Sequence, residues 1–86
     1  MSLYSSNFQK IFGDLLTRTG ISCYQITKYT DLDGAYLSRL RNGGKNNPSA
    51  ETIMKISLAL AHLSEDIALY DIEELFNSVG RSIHLK

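Results

Sequence analysis

The residues best equipped for chemistry in this chain are cations. Arg39, Arg41 and Lys45 fall close together, with Asn42 and Asn46 among them. Guanidinium and ammonium groups donate to anionic oxygens, and the planar Arg fork also matches the edge of a guanine. Just upstream, Asp33, Gly34, Ala35, Tyr36 and Ser38 supply a carboxylate, two positions with almost no side chain, a phenol and a hydroxyl. Ser22, Cys23 and Tyr24 lie where a helix is expected to start, and free backbone amides at such a point hold phosphate. The chemistry on offer is recognition of a polyanion rather than bond making.

Catalytic and metal chemistry fail on spacing. Asp31, Asp33 and Gly34 echo a calcium loop, but its first and last ligands would be Tyr29 and Leu40. Gly44-Lys45 echoes a phosphate-binding loop, yet the earlier glycine is Arg39 and the following hydroxyl residue is Asn46. His62 and His84 have no Cys or second His at metal-ligand spacing, so no metal and no cofactor are expected. No Ser, His and acid set suggests hydrolysis, and the chain is not expected to be an enzyme. Cys23 stands at a helix start, a place that lowers a thiol's pKa, but it has no evident resolving partner and reads as a packing residue.

The elements that must position these residues are helices. Phe8, Ile11, Phe12, Leu15 and Leu16 recur at one helical face over 7–18, with Asn7 as its cap and Gly20 as its stop. Ser22 and Gln25 form a capping box that opens a second helix over 23–30, with Ile26 and Tyr29 inward. Asp31 is the expected left-handed turn residue, and Leu32 plugs the turn into the core. Asp33 caps a third helix over 34–42, with Leu37 and Leu40 inward and Gly43-Gly44 as the stop. After Pro48, Ser49 restarts a helix over 50–61 that is apolar on more than one face and is expected at the centre. The last helix is open to a break in two: a stretch from Ser64, then 72–79 capped by Asp71 and Glu74 and stopped by Gly80. The expectation is an all-α fold, a compact five-helix bundle.

Bulk properties agree with one small domain. The 86 residues are 43% hydrophobic, enough for a single core. One cysteine excludes an intrachain disulfide, no apolar run is long enough for a membrane span, and the N-terminal residues lack a signal peptide's pattern; cytoplasm is the expected compartment. Net charge is zero, but it is divided. Residues 1–48 hold six basic and three acidic side chains, and residues 49–86 hold three basic and six acidic ones. A basic front with an acidic back suits docking on phosphates.

The run from Ile21 to Gly43, then Lys45, Pro48-Ser49 and the apolar helix through Leu60, resembles the helix-turn-helix domain of the phage repressor and Cro type. The resemblance covers about residues 6–76 and implies a lambda-repressor-like DNA-binding fold. It departs from the family at Asp31, usually Gly, at Thr27, usually Ala, and at Asp33, often Ser or Thr. It implies a recognition helix in the major groove of double-stranded DNA, with Asp33, Gly34, Ala35, Tyr36, Ser38 and Arg39 toward the bases. Ser22, Cys23, Tyr24, Arg41, Asn42, Lys45 and Asn46 then meet the sugar-phosphate backbone. Asp33 reads first as a cap, and Arg39 as the leading base reader. The implied function is a sequence-specific transcriptional regulator, acting as a homodimer on a two-fold site.

The segment 67–85 is rich in apolar residues, including Ile67, Leu69, Tyr70, Ile83 and Leu85. A dimer face is expected at Ile72, Leu75, Phe76 and Val79; the same residues also suit the chain's own core. A rival reading keeps the scaffold but makes it an antitoxin-like or adaptor-like protein-interaction module, with a partner on the acidic C-terminal part.

Overall fold

Capping chemistry sets out the helices in order along the chain. The computed structural model describes residues 3–43 and 48–79, with side chains from residue 8 onward. Helix α1 runs Leu3–Thr19 and ends at Gly20, whose φ of 75° is the left-handed stop that glycine adopts freely. Helix α2, Cys23–Thr27, opens with a complete capping box. Ser22 Oγ accepts from the Gln25 amide at 3.2 Å, and Gln25 Oε1 accepts from the Ser22 amide at 2.8 Å. Helix α3, Gly34–Asn42, is capped by Asp33 and stopped by Gly43 at φ 91°. Helix α4, Ala50–Leu63, is capped by Ser49, whose Oγ accepts from the Thr52 amide at 3.1 Å. Helix α5 runs Leu69–Asn77. Among the described residues the fold is all-helical, with five helices and no strand.

The core gathers the faces anticipated from periodicity. Phe8, Phe12 and Leu16 of α1, Ile26 of α2, Leu37 and Leu40 of α3, Ile53, Ile56 and Leu60 of α4, and Leu75 of α5 are essentially out of solvent. Phe8 and Phe12 stack one turn apart, ring centroids 5.6 Å. Helix α1 lies against α3 and α5, α2 against α3 and α4, and α4 against α5. The one buried hydroxyl of α4, Ser57, donates back to the Ile53 carbonyl at 2.7 Å, so no polar cost is left in the core.

Several expectations are corrected. Asn7 lies inside α1 rather than at its cap, because the helix starts at Leu3. Helix α2 stops at Thr27, and Tyr29 is 53% exposed instead of inward. It stacks on His62 of α4, centroids 4.5 Å apart. Asp31 is not left-handed, since no described non-glycine residue has positive φ. Its carboxylate instead accepts from Lys55 Nζ at 2.8 Å, which ties the turn to α4. Helix α4 is not enclosed: Leu58 is 64% exposed. Ser64 is the C-cap of α4 rather than the start of a helix. Gly44, Gly80, Ile83, His84 and Leu85 lie outside the described residues.

Asp71 is not the N-cap of the last helix. It sits one turn inside α5 and reaches back to accept from the Ala68 amide at 2.9 Å. The same carboxylate takes two hydrogen bonds from the Arg18 guanidinium, at 2.9 and 3.3 Å, so the end of α1 is bolted to the start of α5. The Arg18 hydrogen bonds hold the Asp71 carboxyl below its ordinary range, against the opposing effect of burial. A carboxylate with a depressed folded pKa stabilises the fold above its unfolded pKa, about 3.9, and loses that contribution as pH falls through the lower folded value. Asp71→Asn is therefore expected to cost about 1 kcal/mol at neutral pH, limited because Arg18 is half in solvent. Urea denaturation at a series of pH values should show the gap to the wild type narrowing as pH falls below the unfolded value of about 3.9 and closing once the folded carboxyl is protonated.

Candidate nucleic-acid interface

The azimuth of α3 follows from its two leucines. Leu37 and Leu40 are fully buried, so at about 100° per residue the opposite side of the helix carries Ala35, Ser38, Arg39 and Asn42. All four are exposed, as are Asp33 and Arg41. Asn42 Nδ2 donates to Ser38 Oγ at 3.3 Å, an i,i+4 link along this stripe. Among the described residues no carboxylate pairs with Arg39 or Arg41, while Lys10 and Arg18 each have one and Lys55 has two. The cationic side of α3 is thus open and unneutralised.

The other residues expected at base edges divide by role. Asp33 is spent on structure: its Oδ2 accepts from the Tyr36 amide at 3.1 Å, which caps α3. Tyr36 is half-buried and packs against the core. Gly34 is where α2 and α3 come close. A Cβ built there would lie 3.7 Å from Thr27 Cγ2. The branched side chain of Thr27 therefore faces a residue with no side chain at all. The Thr27 hydroxyl donates to the Tyr24 carbonyl at 2.6 Å, so its polar group is also satisfied.

The residues expected on the backbone of a nucleic acid are partly brought together. Ser22 is exposed at the α2 start, with its Oγ and amide already engaged in the capping box. Tyr24 is 66% exposed. Cys23 is half-buried against the core, and burial pushes its thiol up, with the positive charge of Arg41 pulling more weakly the other way. That is the reverse of the lowering expected from a helix start and suits a packing cysteine. Arg41 is close enough to exert that field, so the end of α3 and the start of α2 share one neighbourhood. Lys45 and Asn46 lie outside the described residues.

One cation escaped the sequence reading. Lys28, the C-cap of α2, sets its Nζ 4.7 Å from the centroid of the Tyr24 ring. The i,i+4 spacing of an aromatic and a lysine was the available signal.

The proposed dimer face is taken up by the chain itself. Leu75 is 0% and Phe76 4% exposed, packed into the common core, and Ile72 and Val79 lean against the same cluster. The apolar side chains that α5 leaves in solvent are Leu69 and Tyr70. Among the described residues no group of three or more His, Cys, Asp or Glu side chains could hold a metal ion, and no helix is long and apolar enough to cross a membrane. Compared with protein-family models, with curated proteins and with solved structures, the chain matches none.

Gly43 ends the open stripe under a double constraint. Its φ of 91° strains any side chain, and a Cβ there would stand 2.8 Å from Gln9 Oε1 of α1. Gly43→Ala is expected to lose about 1–3 kcal/mol by denaturant titration. Gly43→Ala with Gln9→Ala should recover only the steric part.

Proposed function

We propose that the chain is a sequence-specific DNA-binding transcriptional regulator. In this reading α2, the turn and α3 form a helix-turn-helix of the phage repressor and Cro type, and α3 enters the major groove. The observation that carries it is the outward side of α3, where Arg39 stands opposite the buried Leu37 and Leu40, Arg41 is exposed on the flank, and neither has a carboxylate partner among the described residues. A single α-helix fits the major groove, and small residues at Gly34 and Ala35 let its first turn approach closely. Arg39 is the base reader, directed at a guanine edge. Arg41, with Lys45 after it, neutralises phosphates. Two copies would occupy inverted half-sites about 34–36 Å apart.

Selection from a random-sequence duplex pool, at low and moderate salt, tests the reading. An enriched motif with inverted symmetry is the expected result. No duplex binding even at low salt would overturn it in favour of the protein-interaction module. Arg39→Ala should relax preference at one base pair by about 1–3 kcal/mol. Arg41→Ala should weaken all duplexes alike and flatten the salt dependence by about one unit of slope per protomer.

Asp33 gives a separate test. Asn caps helices as well as Asp does, so Asp33→Asn is expected to leave thermal stability nearly unchanged. The same change removes the one carboxylate at the start of α3 and should tighten duplex binding at low salt.

A further inference from the structure

Helix α1 borders a second polar feature, which shares Asn42 with the stripe on α3 and takes in Arg41 beside it. A groove of about 410 Å³ lies between α1 and the end of α3, lined by Gln9, Lys10, Gly13, Asp14 and Thr17 on one side and by Arg41 and Asn42 on the other. Two cations, a hydroxyl and two amides make this a place for an oxyanion. Asp14 is its one negative group, held 3.5 Å from Lys10 in a pair whose side chains are 76% and 71% exposed. Exposed pairs of this kind contribute little, so the ammonium is readily drawn to a stronger anion.

Gly13 supplies an independent observation. It stands in the interior of α1, where glycine is the poorest helix former after proline. Its φ is not positive, so the backbone does not require it. A Cβ built on it would meet nothing within 4 Å, so packing does not require it either. A glycine that neither the fold nor its neighbours demand, on the floor of a groove, is where a ligand approaches the backbone.

We propose that this groove binds a phosphate group. Lys10 and Arg41 supply the charge, Thr17, Asn42 and Gln9 supply neutral donors, and Gly13 leaves the anion room to sit on the helix. The phosphate belongs either to a nucleic-acid backbone lying along the end of α3 or to a free phosphate ester. The site holds in both cases, so it does not depend on the regulator reading.

The test follows backbone amide signals by ¹⁵N NMR as inorganic phosphate, and separately a short duplex, is added. With phosphate, the amides of Lys10, Gly13 and Thr17 should shift and saturate. Gly13→Ala should raise the melting temperature by about 4–8 °C, because alanine restores helix propensity in a domain of this size. The same variant should bind phosphate about tenfold more weakly, as should Lys10→Ala. Shifts of the same amides by the duplex identify the backbone as the source. Phosphate binding with no response to the duplex identifies a free ester and counts against the regulator reading alone. Three results would overturn the proposal. One is a Gly13→Ala protein that is stabilised yet binds phosphate like the wild type. Another is a Gly13→Ala protein of lowered melting temperature, which gives the glycine a structural task. The last is a set of shifts that never saturates.

Discussion

Leu37 and Leu40 decide what α3 presents to the outside. Both are wholly buried and lie three residues apart, so together they fix the helix in rotation as well as in position. Losing either would free α3 to roll, and with it the order of Ala35, Ser38, Arg39 and Asn42 on the surface. Among the described residues the polar stripe carries no hydrogen bond that holds α3 to another helix; there Ser38 and Asn42 bond to each other. Its geometry is borrowed from the core beneath.

The same dependence runs through α2. Five residues are far too few for a helix to persist alone in water. It survives because Ser22 and Gln25 satisfy its orphan amides and because Ile26 is buried among the other helices. Asp31 and Lys55 then pin the following turn to α4, with Glu51 sharing the same ammonium at 3.1 Å. Lys55 stays partly in solvent, and its ammonium is held above its usual range chiefly by the Asp31 hydrogen bond and then by that to Glu51, against the opposing effect of burial.

What the sequence disclosed and what it hid separate along a physical line. Caps at Ser22, Asp33 and Ser49, and stops at Gly20 and Gly43, are decided by residues within a few positions of each other, and all five were legible. So were the inward faces of α1 and α3, because helical periodicity is also local; α4, read as apolar on more than one face, gave no such single side, and its Leu58 is exposed. Asp71 was misplaced because its partner Arg18 lies 53 positions away, and no local pattern announces that pairing. Tyr29 was assigned inward because the helix was extended too far; once α2 ends at Thr27, the periodic argument no longer reaches it. The apolar residues of α5 stayed open between a partner and the chain's own core because a sequence does not tell a core contact from an interface contact; Leu75 and Phe76 are buried in the core. Of the candidate interface, the outward placement of Ala35, Ser38, Arg39 and Asn42 followed directly from the position of the two leucines. The half-burial of Tyr36 and Cys23 needed the neighbouring helices to be in place.

Thr27 and Gly34 meet where α2 crosses α3, and the fit there has room for one methyl: a Cβ at 34 would stand 3.7 Å from Thr27 Cγ2, an ordinary van der Waals contact. In any lineage that preserves the α2–α3 crossing, position 34 should therefore admit Ala with Thr27 unchanged, and a side chain that extends further toward α2 only where position 27 is smaller.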